Sequence, residues 1–410
     1  MLKLGFIGAG FVAKFHERAL RCVRNAELAG VCAPEGAEAL AELAREDGLG
    51  NTKVFDSVAA LCSSIDVVCI FAPNFARLEI MRDIARAAEN GAKLKGIICE
   101  KPLARNAKEA DTLARMAKAL HVPTAYFENQ IHMPCVVEAR GQLAGVEQTM
   151  GAAHLARSAE EHGGPHEPWF WDPTMQGGGV CCDMGCHSIA AAMYMLTPRG
   201  KPPDHLKPVS VTANMALLKW GKEPWLSQLK ARGVDYSTTP AEDYSSVTIE
   251  FKDPETGVRS ALQATNSWMY DAPGLRLLME TFGPGYSYTV NSLQSPAGLF
   301  ISDAAAVAVA DSELALEKSQ ATRGALVLQP NEADLYGYVA EWLDALSAFE
   351  AGKDALLNFE YGRLITMLIM AAYMAHEKRQ SIDLTDTRVL DALESYVPLI
   401  QQGKGAAVLG

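Results

Sequence analysis

The first 125 residues alternate between short, wholly apolar runs and alanine-rich stretches in which apolar residues recur at helical spacing. Strands that are apolar throughout are typical of a parallel sheet that helices cover on both faces. The predicted strands are Leu4–Gly8, Leu28–Ala33, Val67–Ala72, Gly96–Glu100 and Val122–Phe127. The predicted helices are Val12–Arg24, Ala37–Arg45, Phe75–Glu89 and Lys108–Leu120. This order predicts a doubly wound Rossmann fold that binds a dinucleotide.

After about residue 128 the pattern changes to strands in which apolar and polar residues alternate. Ser245–Phe251 and Ser260–Trp268 are examples, and turns rich in proline and glycine occur at residues 253–257 and 283–285. Such alternation is typical of an antiparallel sheet that has one solvated face. The second part of the chain is therefore predicted to contain a large, mainly antiparallel sheet.

Two longer helices are predicted near the end of the chain, at Ala333–Glu350 and Tyr361–Lys378, with Asn331 as the N-cap of the first. A chain of 410 residues is longer than one hydrophobic core usually serves, so two domains are expected. We predict an α/β protein with a Rossmann domain over residues 1–128. A substrate-binding and oligomerisation domain is predicted over residues 129–410.

Composition and charge narrow the classes of protein that fit the chain. The net charge of −12 argues against a nucleic-acid partner, because nucleic-acid binding needs a basic face. No apolar run approaches the roughly 18 residues that a membrane span requires. Met1–Ile7 leads directly into a strand pattern and lacks a small-residue cleavage site. The nine cysteines are expected to be reduced and mostly buried, which favours a cytoplasmic protein.

A G-x-G-x-x-A motif follows the first predicted strand and opens a helix. Gly8 permits a tight turn, Gly10 lets the backbone approach a diphosphate, and Ala13 allows the helix to pack closely on the strand. The start of the helix, at Phe11 and Val12, offers N–H groups and a positive dipole end to the phosphates. The alternative, a glycine-rich turn without a ligand, is disfavoured by the alternation of strands and helices around it.

The second predicted strand ends without the acidic residue that usually binds the adenosine ribose of NAD. Its last residue is Ala33, and the nearest acid is Glu35. No arginine or lysine occupies this turn to receive the 2′-phosphate of NADP. We therefore expect NAD as the cofactor, bound through Glu35 or through backbone groups near Ala33, and NADP is not excluded at this point.

Further motifs give the chain a family resemblance. Residues 99–104 have the sequence CEKPLA, residues 72–74 have the sequence APN, and residues 177–187 contain the pattern Asp-x-Gly-x-His. Later matches lie at residues 371–373 (AAY) and 381–384 (SIDL). With these motifs, which extend over nearly the whole chain, the sequence resembles the glucose–fructose oxidoreductase / inositol dehydrogenase (Gfo/Idh/MocA) family.

The resemblance implies a Rossmann domain followed by an α/β domain whose open sheet face is often used for oligomerisation. A homo-oligomer formed through that sheet is therefore expected. Residues near the strand ends are expected to line the cofactor cleft: Ala72, Pro73, Asn74, Glu100, Lys101 and Asn129. One departure concerns this cleft, because the family's Pro-Asn-x-x-His motif has Arg77 as its last residue here.

Candidate catalytic residues follow from the chemistry of hydride removal, which requires a base for the hydroxyl proton. Lys101 lies at the carboxyl end of a predicted strand, where open α/β sheets bind ligands, and Pro102 helps to fix its direction. By resemblance, His187 is the proton acceptor and Asp183 binds or polarises substrate hydroxyls. The residues alone leave open which of Lys101 and His187 is the base. They also leave open a helix-capping aspartate with a core histidine, and an exposed lysine.

A zinc site is a weaker alternative for the same segment, since Cys181, Cys182 and Cys186 lie beside His187. Adjacent cysteines cannot easily both bind one metal ion, and no second pair of ligands follows at zinc spacing. The cysteines are therefore expected to be small buried residues, and no metal is expected.

A segment rich in aromatic and polar residues precedes the glycines at 177–179. Aromatic faces stack on sugar C–H groups, and histidine, arginine and aspartate bind hydroxyls. The predicted substrate-binding residues are Lys101, Arg157, His162, His166, Trp171, Asp183 and His187. The alternative is that residues 169–171 only pack a loop.

These observations predict an NAD-dependent dehydrogenase that acts on a secondary hydroxyl of a sugar, glycoside or cyclic polyol. One alternative is an enzyme that keeps its cofactor bound, oxidises a sugar transiently and cleaves a glycoside. A second alternative is a non-catalytic protein that senses the cofactor. The presence of Lys101, Asp183 and His187 disfavours the second alternative.

Overall fold

The computed structural model describes residues 1–271, 275–291, 297–302, 324–328 and 336–409. The predicted N-cap Asn331 and the predicted helical residues 333–335 lie outside the described residues. In the described part of the chain, no helix is both long enough and apolar enough to cross a membrane.

The chain divides into two compact units. The first contains Met1–His132 and Ala333–Thr366, and the second contains Met133–Glu332 and Met367–Gly410. The return of the chain to the first unit was not foreseen, because the sequence analysis placed a single boundary after residue 128. That boundary stays a prediction.

The first unit is built on a parallel sheet. Its strands are β1 (Leu2–Ile7), β2 (Ala26–Cys32), β3 (Lys53–Val54), β4 (Val67–Ile70), β5 (Gly96–Glu100) and β6 (Thr124–Phe127). The helices between them are α1 (Phe11–Leu20), α2 (Ala37–Glu46), α3 (Val58–Cys62), α4 (Arg77–Glu89) and α5 (Ala107–Ala119). Within the described residues the strand order is β3-β2-β1-β4-β5-β6, and every pairing is parallel. The predicted fold class is confirmed. Strand β3 was missed, because two residues are too few to show a period.

The second unit is built on a larger mixed sheet. Its strands are β7 (Leu155–Glu161), β8 (Lys207–Ala216), β9 (Tyr244–Lys252), β10 (Arg259–Ser267), β11 (Arg276–Gly283), β12 (Tyr286–Asn291), β13 (Ala297–Ile301), β14 (Gly324–Leu328) and β15 (Ile382–Asp383). In the described ranges the order is β14-β13-β12-β11-β7-β10-β9-β8-β15. Only the β7–β10 pairing is parallel among these strands. The prediction of a large, mainly antiparallel sheet is confirmed.

Helix α9 (Gly185–Leu196) covers one face of this sheet, and α6 (Pro134–Met150) and α8 (Val180–Asp183) also contact its strands. Helices α7 (Pro173–Gln176) and α10 (Trp225–Ala231) belong to the same unit. Helix α9 packs on β7 and β10, where the Ser158 hydroxyl donates to the Ser188 carbonyl oxygen at 2.7 Å. Residues of β9 that point to the covered face, such as Val247 and Ile249, are buried, whereas the intervening Thr248 is half-buried. This alternation is what the sequence pattern predicted.

The last helices are α11 (Tyr338–Glu350), α12 (Phe359–Lys378) and α13 (Thr387–Glu394). Helix α11 packs against α1 in the first unit. Its Trp342 is fully buried, stacks on Phe6 and contacts the edges of Phe71 and Phe127. The apolar face of α11 therefore completes the core of the Rossmann unit, which explains why the chain returns there.

Candidate active site

The glycine turn after β1 has the geometry that a diphosphate requires. Gly8 has φ +113° and donates its N–H to the Cys32 carbonyl oxygen at 3.0 Å. A Cβ at position 8 would lie 2.7 Å from the backbone of Phe71, so only glycine fits. A Cβ at Gly10 would meet nothing within 4 Å, which leaves open space beside the backbone. The residues present therefore fit a dinucleotide diphosphate.

Helix α1 begins directly after this turn, with Gly10 as its N-cap. Gly10 has no side chain with which to cap this end of the helix, and the N–H groups of the first turn begin at Phe11 and Val12. The Phe11 side chain is exposed, whereas Ala13 is buried against the sheet, as the motif predicts. The N-terminus of α1 thus presents a positive dipole end beside the open space at Gly10.

The loop after β2 lies next to the glycine turn. A Cβ at Gly36 would lie 3.5 Å from the Ala9 carbonyl oxygen, while Glu35 is exposed and Ala33 is half-buried. The pKa of the Cys32 thiol is raised by burial and by the negative charges of Asp56 and Asp83. Asp56 follows β3, and the sequence analysis missed it because β3 was not predicted. An acidic environment therefore surrounds the end of β2.

Arg77 occupies the position where the family has histidine, and it binds the main chain at the ends of two strands. The residue is only 4% exposed, and its Nε donates to the Ala72 carbonyl oxygen at 3.0 Å. The rest of the guanidinium donates to the carbonyl oxygens of Glu100, Lys101 and Pro102. The Lys101–Pro102 peptide is cis, and the Lys101 side chain is half-buried. Arg77 was noted in the sequence as a departure, but this role was not foreseen.

Glu100 lies in the core of the first unit and pairs with a histidine of α1. Its Oε1 lies 2.9 Å from Nε2 of His16, which is fully buried and stacks on Phe71. Burial lowers the pKa of His16, so the ring is neutral and donates its Nε2–H to the carboxylate. Burial alone would raise the pKa of Glu100, but His16, Lys101 and Arg77 outweigh it and lower that pKa. Glu100 is therefore an ionised carboxylate in the core.

The remaining residues predicted for the cofactor cleft all belong to the first unit. Ala72 and Pro73 follow β4, and Asn74 is buried in a short 3-10 helix, Asn74–Ala76. Asn129 follows β6 and donates its side-chain amide to the Tyr336 carbonyl oxygen at 2.7 Å. These positions are at the carboxyl ends of parallel strands, where the sequence analysis expected them.

In the second unit, a buried glutamate binds the glycine-rich segment that leads to Asp183. Glu242 accepts from the N–H groups of Gly179 and Cys181, at 3.1 and 3.0 Å, and from the Tyr373 hydroxyl at 2.6 Å. A Cβ at Gly178 would lie 2.0 Å from the Tyr373 hydroxyl, and one at Gly179 would lie 2.1 Å from the Glu242 carbonyl oxygen. Only glycine permits this approach.

Glu242 is fully buried, although glutamate is usually a surface residue, and its pKa is raised. Burial raises its pKa to about 7, although the Tyr373 hydroxyl and the N–H groups of Cys181 and Gly179 act in the opposite direction. The sequence analysis missed Glu242, which precedes Asp243 and β9. Asp243 is also buried, and its carboxylate accepts from the N–H groups of Lys219 and Trp220. No spacing rule signals such main-chain binding.

Asp183 and His187 both lie at the start of the helical region that Glu242 anchors. Asp183 ends α8 and His187 is in the first turn of α9, and both are buried. Nε2 of His162 lies 3.8 Å from Oδ2 of Asp183, while Nδ1 of His162 accepts from the Gly164 N–H at 2.9 Å. When neutral, His162 therefore carries its proton on Nε2, facing Asp183. The structure brings together His162 and Asp183, two of the predicted substrate residues, and their role stays a prediction.

Two other predicted substrate residues of the second unit, Arg157 and His166, are exposed. Arg157 is on the open face of the sheet, where it contacts Gln263 and the Phe282 ring. Its neighbour Ser158 points to α9, so Arg157 points away from that helix, because side chains alternate along a strand.

Trp171 has a packing role. It is 1% exposed, and its Nε1 donates to the Pro165 carbonyl oxygen at 2.9 Å. The ring packs edge-on against Trp220, Tyr236 and Trp268. The predicted contact of the Trp171 ring with a sugar face is therefore corrected: the ring is enclosed by other aromatic residues. Trp169 and Phe170, which stack on each other at 3.8 Å, are the half-buried aromatic residues of this segment.

The cysteines of the chain differ widely in exposure. Cys22 is exposed and Cys32 is half-buried, whereas Cys62, Cys69, Cys99, Cys135, Cys181, Cys182 and Cys186 are buried. Burial raises the pKa of the Cys181 thiol well above its usual range. Among the described residues, no group of three or more histidine, cysteine, aspartate or glutamate side chains is arranged to hold a metal ion.

Comparison with protein families gives matches to both parts of the chain. Residues 2–127 match a family model described as an oxidoreductase family with an NAD-binding Rossmann fold. Residues 145–281 match the model of the GFO/IDH/MocA C-terminal domain. The two models describe the two parts of one family, in the order in which the chain has them.

Curated relatives are named as sugar dehydrogenases. D-glucoside 3-dehydrogenase of Escherichia coli strain K12 is 31% identical over 48% of this chain and 54% of its own length. Glucose-6-phosphate 3-dehydrogenase of Bacillus subtilis strain 168 is 33% identical over 30% of this chain and 32% of its own length. The chain thus spans about half, or less, of the length of these curated relatives.

A solved structure shares the fold over nearly the whole chain. GenD2 from gentamicin A biosynthesis, in complex with NAD, has a TM-score of 0.69 and 21% sequence identity. The match covers 93% of this chain and 96% of that chain. At this identity the likeness establishes a shared fold.

Proposed function

The chain belongs to the Gfo/Idh/MocA family of oxidoreductases, and from this premise we propose that it transfers a hydride between NAD and a sugar-like substrate. The substrate carbon is one that carries a secondary hydroxyl, in a sugar, glycoside or cyclic polyol. The observation that carries the proposal is the position of Lys101 at the carboxyl end of β5, in the same Rossmann unit as the open turn at Gly10. Ligands of open α/β sheets bind at the carboxyl ends of the strands.

The cofactor is held by the first unit in this proposal. Bound NAD supplies the ring carbon that accepts the hydride. Gly8, Gly10 and the N-terminus of α1 bind the diphosphate, because they offer backbone donors and no obstructing Cβ. Asp56 and Asp83 make the end of β2 acidic, which favours the ribose hydroxyls of NAD over the 2′-phosphate of NADP, and Glu35 lies in the loop that follows.

The chain's own residues remove the proton of the substrate hydroxyl. A neutral Lys101 amine or a neutral His187 ring accepts the proton from the hydroxyl oxygen while the hydride leaves the carbon that carries this hydroxyl. Asp183 binds a substrate hydroxyl beside the His162 ring, whose Nε2 lies 3.8 Å from the Asp183 carboxylate. Arg157 is not included in this site, because it lies on the opposite face of the sheet from α9.

Position 3 of a glucose-type ring is the proposed site of oxidation. The two curated relatives described above are both named as 3-dehydrogenases, one of a glucoside and one of a glucose phosphate. A glucoside or a free sugar fits the second unit better than a phosphorylated sugar. Asp183 and Glu242 are both buried near the start of α9, and acidic groups disfavour a dianionic substrate.

A substrate screen tests the proposed function. Purified protein is incubated with glucosides, free sugars and cyclic polyols, with NAD and NADP in parallel, and formation of the reduced cofactor is followed by absorbance. Formation of NADH that requires Lys101 supports the proposal, and a 3-keto product supports position 3. A higher rate with NADP for every substrate would contradict the choice of cofactor. Release of an aglycone without accumulation of NADH would favour the glycoside-cleaving alternative.

A homo-oligomer formed through the open face of the second sheet is also proposed. This face carries half-buried and exposed polar side chains such as Thr248 and Gln263, together with Arg157. Sedimentation velocity measures the assembly directly. Replacing Gln263 by glutamate on this face is expected to shift the protein to a smaller species, and an unchanged sedimentation coefficient would contradict the proposed interface.

A further inference from the structure

Arg77 is an unusual residue for its location. It is the first residue of α4, it is almost completely buried, and its guanidinium contacts main-chain carbonyl oxygens. Within the described residues, no carboxylate forms an ion pair with this guanidinium. Its charge is compensated by the dipoles of the carbonyl groups that it contacts and by the nearby Glu100 carboxylate, whose pKa it lowers.

The acceptors of Arg77 come from two neighbouring strand ends. The Ala72 carbonyl follows β4, whereas the carbonyls of Glu100, Lys101 and Pro102 form the turn after β5. A guanidinium has a planar, rigid set of five N–H donors and stays charged at every physiological pH. A neutral histidine, the family's residue at this position, has a single N–H donor and cannot bind all of these oxygens.

We infer that Arg77 is a positioning residue for Lys101 in this chain. By binding the carbonyls of three consecutive residues, the guanidinium fixes the path of the backbone on both sides of Lys101, and therefore the point from which its side chain extends. Arg77 touches no reacting atom in this role. The inference rests on the proposed function, in which Lys101 acts on the substrate hydroxyl.

A role of this kind predicts a specific kinetic result. A displacement of a catalytic group by about 1 Å can reduce turnover by about 10²-fold. Loss of the guanidinium is therefore expected to lower kcat while the KM for NAD, which depends on the glycine turn, changes little. A purely structural role would lower the amount of folded protein and leave kcat per folded molecule unchanged.

The experiment compares three substitutions of Arg77 with a matched control. Arg77→Gln is expected to lower kcat about 10- to 100-fold, and Arg77→His to fall in the same range. Arg77→Lys keeps the charge and part of the hydrogen bonding, so it is expected to recover part of the loss. The control is Arg82→Gln on the same helix, where the exposed arginine pairs with Glu79 at 2.8 Å. This control is expected to keep wild-type kcat.

Amide hydrogen exchange gives a readout that does not depend on activity. The backbone N–H groups of Lys101, Leu103 and Ala104 are expected to exchange at least fivefold faster in Arg77→Lys than in wild type. Arg82→Gln is expected to leave them unchanged. If Arg77→Gln does not fold, the lysine variant and its exchange rates still test the inference.

The outcomes separate this inference from the proposed function. Inactive Lys101→Met together with unaltered kcat and unaltered exchange in the Arg77 variants would overturn the positioning role alone. Absence of dehydrogenase activity in the wild type would overturn the proposed function, and the exchange measurement would then still decide whether Arg77 fixes the turn. Faster exchange with a selective loss of kcat supports both.

Discussion

The segments that carry Lys101 and Asp183 are each held by a buried charged side chain, but the two charges have opposite sign. In the first unit the Arg77 cation binds carbonyl oxygens around Lys101, and in the second unit the Glu242 carboxylate binds N–H groups ahead of Asp183. A main chain offers both kinds of partner, so a buried side chain of either charge can fix a loop by binding its backbone.

The two anchors differ in their response to pH. A guanidinium does not lose its proton under physiological conditions, so the hydrogen bonds of Arg77 are constant. Glu242, with a pKa of about 7, changes its charge near neutrality. The segment that carries Lys101 is therefore held by a permanent charge, whereas the segment that carries Asp183 is held by a charge that protonation near pH 7 removes.

The largest expected effects come from removing Lys101 and His187, the two candidate bases. Lys101→Met and His187→Ala are each expected to lower kcat by about 10²–10⁴-fold, the usual contribution of a positioned acid or base. Binding of NADH, followed by its fluorescence, is expected to persist in both variants. The exposed Lys108 and His154 provide matched controls, Lys108→Met and His154→Ala, which should keep full activity. Normal kcat in both Lys101→Met and His187→Ala would remove the chemical basis of the comparison.

The next effect is the pH dependence of stability that Glu242 contributes. In the unfolded chain a glutamate titrates near 4.5, so between pH 4.5 and about 7 the folded protein holds a proton that the unfolded chain has lost. The free energy of unfolding therefore falls as the pH rises through this window, by roughly 3 kcal/mol in total for this group.

Urea unfolding of wild type and Glu242→Gln across this pH range measures that contribution. The variant is expected to lack this part of the decline, so the difference between the two curves should change most between pH 4.5 and 7. In contrast, Arg77→Lys should differ from wild type by the same amount at every pH in that range. Parallel curves for wild type and Glu242→Gln would show that the two anchors do not differ in this respect.

Two glycines sharpen the comparison by separating packing from ligand binding. A Cβ at Gly179 would lie 2.1 Å from a backbone oxygen, so Gly179→Ala is expected to destabilise the fold by about 1–3 kcal/mol. A Cβ at Gly10 would meet no atom within 4 Å, so Gly10→Ala is expected to cost less than about 1 kcal/mol of stability. Gly10→Ala should instead weaken binding of NADH, because the methyl group would occupy the diphosphate side of the turn. Equal effects of both substitutions on stability would contradict this division.

The smallest expected effect concerns the hydroxyl that supports Glu242. Tyr373→Phe removes one hydrogen bond to the carboxylate, which is expected to cost about 1 kcal/mol. Because that hydroxyl stabilises the ionised form, its loss should also move the Glu242-dependent decline in stability to higher pH. Tyr396→Phe, which loses a similar hydrogen bond to Glu377, is the control and should not move it.

The sequence predicted the parts of the molecule that depend on local pattern. The glycine turn at Gly8 and the strand before Lys101 are specified by contiguous residues, and their bounds were close to those observed. These features need no information from distant parts of the chain.

The features that the sequence did not predict depend on contacts between distant segments. Glu242 and Tyr373 are separated by 131 positions along the chain, and no periodicity links them. Trp171 is a residue of the type that stacks on sugars, but the aromatic residues that enclose it come from later strands and loops. Helix α6 was not predicted, although its buried residues Val136, Ala139, Leu143 and Val146 recur at helical spacing. Arg77 could be recognised as a departure, whereas its partners became apparent only in three dimensions.

The exposure of the cysteines makes the protein a reporter of its own unfolding. Cys22 is accessible in the native state, so a maleimide dye can be attached there while the buried thiols stay unmodified. The thiols of Cys181, Cys182 and Cys186 are buried, and burial raises the pKa of Cys181, so they become reactive only when the helices around them open. Counting alkylated thiols by mass spectrometry would therefore follow the opening of that region without an engineered cysteine.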